Sequence, residues 1–473
     1  MIDVVVVGSG PNGLSAAIAL AQQGLEVVVF EADSVAGGGT RSGPLTLEGY
    51  LHDLCSAVHP MGVLSPFWRT LPLAQHGLEW AFPQLSVAHP LDGGRAATLS
   101  LSVDETAERL GRDAGAYRRL VSPFVDAGPE LLADLMAPLG KIPGHPVTMA
   151  RFGLAGGLPA SLLARAAFST PEARALLAGL AGHSILPLEA PLSGAVGLIF
   201  AVTAHLSAWP VAVGGSQSIA RALVALFESL GGRVQLGSPV RSLAELPPSR
   251  AVIFDTSPGP MADIAGDALP DSYRRRLRRY RYGPGTFKVD YALDGPIPWA
   301  AADCARASTI HVGGTLEEIA DAERAPWRGR VAERPYLIVC QQSHFDPSRA
   351  PESKHTGYAY CHVPSGCTVD MTDAIEAQIE RFVPGFRDRV LARRVWSPAD
   401  FERHNPNYVG GAITGGAADA TQLFTRPVAR LDPYSTPNPR LFIASASTPP
   451  GGGVHGMCGW HAAQSVLRRL GKR

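Results

Sequence analysis

Three glycines in the run Gly8-Ser9-Gly10-Pro11-Asn12-Gly13 have the G-x-G-x-x-G spacing, and an acid, Glu31, follows about twenty residues later. The chemistry this spacing suits is capture of a pyrophosphate. The first glycine permits a tight turn, the second lets the phosphates approach the backbone, and the third lets a helix pack closely on a strand. The anion then rests on free N–H groups at the positive end of the helix dipole, while Glu31 accepts hydrogen bonds from ribose hydroxyls. The spacing predicts a bound adenine dinucleotide; the competing reading is a glycine-rich turn in an α/β domain without a ligand.

A second group lies four hundred residues on, in Pro449-Pro450-Gly451-Gly452-Gly453-Val454-His455-Gly456-Met457-Cys458-Gly459-Trp460. Two glycine-rich helix starts suit a ligand with two ends in need of donors, a pyrophosphate at one and a ring system that becomes anionic on reduction at the other. FAD fits that description better than NAD. Between them, Gly37-Gly38-Gly39-Thr40-Arg41 lets backbone lie against a flat or anionic ligand, with Arg41 to offer charge; its alternative is a flexible loop. His52 and His59 stand in a mixed polar and apolar stretch, where a structural histidine competes with one placed near a reacting centre.

The elements needed to position these groups are legible. Val4 to Val7 is a buried strand, Leu14 to Gln23 an Ala-rich helix, and Glu26 to Phe30 a second strand, which completes a βαβ unit. From about Asp104 to Ser207 the pattern turns helical, broken by Pro and Gly. Between Ala190 and Ala220 there is no Asp, Glu, Lys or Arg; a buried helix lining a cavity and a monotopic membrane contact both account for this. A helix after Gly214-Gly215-Ser216 and the strands Arg233–Leu236 and Ala251–Asp255 return the chain to the first sheet. The basic run Arg274 to Arg281 reads as a solvated helix face or an anionic docking surface. Phe287 to Leu293 alternates as a half-buried strand, with Pro335–Cys340 and Gly357–Val363 as partners and Ile375–Phe382 as a helix. The chain closes with a strand over Leu441–Ser447 and a helix over His461–Leu470. The resulting division is a discontinuous nucleotide domain over residues 1–85, 211–285 and 406–473, and a substrate domain over 86–210 and 286–405.

At 473 residues, with 42 basic and 42 acidic side chains, the chain has no global field to recruit nucleic acid. The six cysteines lack metal-like or C-x-x-C spacing, so reduced thiols and no metal site are expected. The first strand follows Met1 directly, so a cytoplasmic location is expected, with membrane association as its alternative.

The phosphate loop, the Gly37 to Ser42 loop, Gly214-Gly215-Ser216 before a helix, and above all Pro449 to Met457 resemble the phytoene desaturase-related flavoproteins. The branch it resembles includes the pyridine nucleotide-disulfide oxidoreductase domain-containing protein 2 type. Arg381 to Asp388 and Asn405 to Gly411 extend the likeness over nearly the whole chain. The resemblance implies an α/β fold with a discontinuous Rossmann-like FAD-binding domain, as in amine oxidases, and an inserted α+β substrate domain. It implies that Gly8, Gly10, Pro11, Asn12 and Gly13 hold the pyrophosphate, and that Glu31, beside Ala32, holds the ribose. Gly38, Gly39, Thr40 and Arg41 would follow the flavin, Val240 would face adenine, and Ser445, Gly453, Val454, His455, Gly456 and Met457 would complete the cofactor set. The chain departs from the family at Val35 and near Gly39, where arginines are usual, and at Ala412, where an Asp commonly stands.

The function so implied is an FAD-dependent dehydrogenase that removes a hydride and a proton from a hydrophobic small molecule, with oxygen or a quinone as electron acceptor. His455 or His59 would be acid or base, and Cys458 and Trp460 would be walls of an apolar cavity between the domains. Disulfide reduction does not fit, because Cys55 has no nearby mate, and no second fingerprint provides a nicotinamide site. Amine oxidation, flavin-dependent isomerisation or saturation, and non-catalytic binding of a lipidated protein are the rivals. Substrate, direction of the redox chemistry and oligomeric state stay open.

Overall fold

In the computed structural model, which describes residues 2–138 and 142–472, the valine-rich start of the chain is the centre of a five-stranded parallel sheet. Its order is Leu441–Ile443, Ser249–Phe254, Ile2–Val7, Val27–Phe30, Arg233–Gln235. Val4 to Val7 are buried, as a central parallel strand covered on both faces requires. Pro11 opens the helix Pro11–Ala21, where its missing N–H costs nothing and its fixed φ suits the first turn. That helix is small-faced for a reason: Met457–Arg469 packs on it so closely that a Cβ on Gly459 would lie 1.8 Å from the Asn12 carbonyl oxygen.

A second, seven-stranded sheet runs Val390–Trp396, Gly285–Leu293, His355–Val363, Leu337–Cys340, Ala307–Val312, Leu85–Leu91, Arg95–Ser100. Its pairings are antiparallel except that of Ala307–Val312 with Leu85–Leu91. One face packs on Thr372–Glu380 and its flanks through Phe287, Val289, Tyr291 and Phe382. The other is roofed by helices drawn from Val103–Ser207. Gly285–Leu293 is therefore buried along its whole length, not on one face as its alternation suggests. The face carrying Lys288 and Asp290 meets other charged groups rather than water.

The charge-free stretch forms the helix Ser193–Ser207, largely buried, and then the two-residue strand Val211–Ala212 against Trp80–Ala81. Among the described residues no single helix is long and apolar enough to cross a membrane. In Asp271–Arg278, Tyr273 and Leu277 face inward, while Arg274 and Arg278 pair with Asp267, Asp271 and Asp263. Near the C-terminus the strand is shorter and the helix longer than the sequence pattern indicates. The strand stops at Ile443 because Thr448 turns back to donate to the Ser445 carbonyl. The helix starts at Met457 because Gly456, at φ 69°, supplies a left-handed entry that a residue with a side chain adopts only at a cost.

Candidate active site

The two glycine-rich loops, distant in sequence, lie side by side. A Cβ on Gly456 would strike the Ser15 hydroxyl, and one on Gly38 would lie 3.1 Å from the Gly10 Cα. Two helix N-termini and the Gly37–Thr40 turn thus lie together, a convergence of backbone donors whose polarity fits an extended dinucleotide. Val454 holds φ 54° between Gly453 and Gly456, a left-handed conformation that costs a β-branched residue of order 1–3 kcal/mol.

Around these loops several residues expected to touch the cofactor have partners within the chain. Glu31 ends its strand and accepts hydrogen bonds from Ser9 N–H and hydroxyl and from Asp33 N–H; Ala32 beside it is exposed. The loop carrying Val240 joins this edge, since Ser238 N–H donates to the Glu31 carbonyl. Arg41 is spent internally, on Asp33 and on the carbonyls of Gly38 and His404, while the Thr40 hydroxyl donates to the Gly37 carbonyl. Gly39 lies against the Tyr408 hydroxyl. The Gly13 N–H, expected to serve a phosphate, donates instead to the Asp255 carboxylate at 2.8 Å. Burial, with Glu31 adding to it, pushes that carboxyl well above the ordinary range. Pro11 and Asn12 are half-buried in the first turn of the helix Pro11–Ala21. Ser445, buried, accepts from Ser447 N–H in the turn after the last strand.

The two candidate histidines differ. His455 Nδ1 accepts from Met457 N–H at 3.0 Å, and its ring also meets the carbonyls of Gly451 and Gly452; it caps the C-terminal helix from within its own loop. His59 is buried beside that loop: a Cβ on Gly62 would touch both the Val454 carbonyl and the His59 side chain. Its Nε2 lies 2.8 Å from the Ser216 hydroxyl, whose proton goes to the Ser56 carbonyl at 2.7 Å. His59 must therefore donate from Nε2, which leaves Nδ1 a bare lone pair, buried without a partner. Burial lowers its pKa to about 4, so the ring is neutral at physiological pH.

Cys458 and Trp460, expected as cavity walls, are packed instead. The Cys458 thiol lies within donating distance of the Gly451 carbonyl at 3.3 Å and the Thr448 carbonyl at 3.5 Å, its one proton serving either, and burial pushes its pKa up to about 11. Trp460 rests between Phe67 and His461.

A set of buried charges behind His59 went unread in the sequence. Asp53 accepts from Ser216 N–H, from the Ser42 hydroxyl and from Arg349, each at 2.7 Å. Burial raises the Asp53 carboxyl, yet Arg349 and these donors hold it below its usual value. Arg349 also binds Asp346 and the Ala212 carbonyl. Lys288 reaches across from the large sheet to the Asp53 carbonyl at 2.9 Å and to both oxygens of Asp290. Its ammonium stands 4.4 Å over the Tyr358 ring. Burial raises Asp290 to about 6, and burial followed by Lys288 lowers His52 to about 3. The available signal was Lys288 and Asp290 at alternate positions of an otherwise apolar strand. Among the described residues no cluster of His, Cys, Asp or Glu has the makings of a metal site.

A discontinuous Rossmann-like domain with an inserted α+β domain, and two helix N-termini brought together, define an oxidoreductase fold of the amine oxidase and phytoene desaturase type. Residues 6–71 match the NAD(P)-binding Rossmann-like domain family. The chain is similar to rat (Rattus norvegicus) pyridine nucleotide-disulfide oxidoreductase domain-containing protein 2, 26% identical across 99% of this chain and 94% of that one. It is also similar to a lycopene-forming phytoene desaturase of Paracoccus sp., 23% identical across 96% and 95%. A solved putrescine oxidase variant superposes with a TM-score of 0.62 at 16% identity, over 99% of this chain and 98% of that one. Over nearly its whole length the chain is thus similar to phytoene desaturase-related oxidoreductases.

Proposed function

We propose that this protein binds FAD between its glycine loops and oxidises a hydrophobic organic substrate, removing a hydride and a proton across a carbon–carbon bond. The observation that carries this reading is the convergence of the two helix N-termini at Ser15 and Gly456. Bound there, the flavin ring would supply the hydride-accepting chemistry. The chain's own part is to hold negative charge at the Met457 helix end and to receive a proton at His59 Nδ1. The phytoene desaturase relative supports an apolar substrate and carbon–carbon oxidation. Electrons would leave to oxygen or a quinone.

Amine oxidation is the second reading, supported by the putrescine oxidase fold and by the Tyr358 and Tyr360 rings, 6.1 Å apart. Against it, the Lys288 ammonium already occupies the Tyr358 face, where a substrate cation would be repelled. Anaerobic bleaching of the purified yellow protein by a panel of isoprenoid hydrocarbons, saturated cyclic ketones and amines tests both. Bleaching by hydrocarbons or ketones, reversed by air or quinone, is expected. Bleaching by amines alone would replace this reading with the second, and a colourless protein that takes up no FAD would end both.

A further inference from the structure

Where the strand Ser249–Phe254 ends against the first glycine loop, the fold puts an acid where an anion is expected to bind. Asp255 Oδ2 accepts from Gly13 N–H at 2.8 Å, and a Cβ on Gly10 would lie 2.6 Å from the same oxygen. Gly10 and Gly13 are two of the three glycines whose spacing suits a pyrophosphate. The backbone of Asp255 is fixed: its N–H donates to the Val7 carbonyl at 2.8 Å, and a Cβ on Gly8 would lie 2.9 Å from its carbonyl oxygen. The other titratable groups that act with this carboxyl are Glu31, at the end of Val27–Phe30, and the Cys458 thiol on the last helix. Among the described residues no cation counters it.

Two effects oppose each other at this carboxyl. The loop N–H groups and the helix dipole favour its charged form, while burial disfavours it and Glu31 adds repulsion. Burial wins, and the carboxyl titrates well above its ordinary range. A pyrophosphate brings further negative charge to the same loop, and like charges held this close do not all stay ionised. We infer that Asp255 is protonated whenever the dinucleotide is bound, so that FAD binding takes up a proton from solvent and the neutral acid offers a donor where the carboxylate would repel. Because Oδ2 keeps the Gly13 N–H, the proton belongs on Oδ1. No bond of the cofactor changes. The inference rests on the reading that FAD binds at these loops. A carboxylate that only caps Pro11–Ala21 would account for the Gly13 bond, but its protonation would not be tied to the dinucleotide.

Titration calorimetry of the full chain, freed of flavin, with FAD in two buffers of different ionisation enthalpy reads this proton directly. Above the pKa of the unliganded carboxyl, uptake should approach one proton per FAD, and the dissociation constant should rise ~10-fold per pH unit. Below it both should level off, since Asp255 is then neutral before FAD arrives. Asp255→Asn keeps an acceptor for Gly13 N–H and does not ionise, so it should bind FAD without proton uptake and with one affinity from about pH 6 to about pH 9. Wild-type binding with no net uptake anywhere in that range overturns this inference and leaves the flavin reading standing. So does a pH slope that persists in Asp255→Asn, which would belong to Glu31. If neither protein binds FAD at any pH, the flavin reading fails and the inference falls with it.

Discussion

A single hydroxyl decides which nitrogen of His59 is available. Ser216 gives its proton to the Ser56 carbonyl and takes one from His59 Nε2, so Nδ1 is the bare base. His59→Asn should slow single-turnover flavin reduction by about 10²–10⁴-fold while FAD stays bound; an unchanged rate would remove His59 from the chemistry. The pH profile carries a sign. With the folded pKa lowered to about 4, the neutral ring persists through the neutral range, so the rate should be flat there and fall only as pH drops towards 4. The same shift means that the stability gained by keeping His59 neutral is complete above the unfolded value near 6.5 and is lost as pH falls through the folded one. An inflection at pH 6.5 instead would place the ring in water. His59 was legible as a titratable group in a mixed stretch, but Ser216 was not: it lies 157 residues away, and only the fold brings its hydroxyl to the ring.

The Gly285–Leu293 strand shows the same limit for a whole element. Alternation reveals which side chains share a face, not what covers that face, so the strand was readable while its burial was not. What covers the Lys288 and Asp290 face is the Asp53, Arg349 and Asp346 cluster, which joins the large sheet to the turn before Gln217–Ser229. Arg349 has no exposure, and Arg349→Met would leave Asp53 and Asp346 buried without their countercharge, at a cost of about 3–5 kcal/mol. Urea denaturation should show that loss. Adding Asp53→Asn and Asp346→Asn should recover part of it, whereas a single variant as stable as the wild type would mean that water already reaches the cluster. The C-terminal helix start was misplaced for a related reason. In a run holding five glycines, spacing alone does not say which one takes the left-handed position that opens a helix.

Across the molecule, both strand, loop and helix units and the pairing of Gly285–Leu293 with His355–Val363 were legible, because each rests on local periodicity and glycine spacing; Leu337–Cys340 pairs with His355–Val363 instead of Gly285–Leu293, whose other neighbour, Val390–Trp396, alternates too weakly to be read. The buried charge cluster and the exposed apolar side chains of Pro146–Gly156 were not. The first assembles from segments far apart in the chain, and the second is an anomaly only once exposure is known, since Val147 and Leu154 read in sequence as ordinary core positions.

The five-stranded sheet also sets an order of events during synthesis. Its central strand, Ile2–Val7, is made about four hundred residues before one of its edge strands, Leu441–Ile443, and before the helix that covers Pro11–Ala21. Until those segments arrive, Ser249–Phe254 presents an open edge and the Ala-rich face of the first helix is bare, so the nascent chain carries an aggregation hazard over that interval. A chain ending at residue 440 should be digested by protease far faster than the whole protein; one with the same cooperative unfolding as the full chain would show that the sheet closes without its last strand. The glycine loop before Met457–Arg469 arrives with those same late segments, so the two helix N-termini meet only once the sheet has closed.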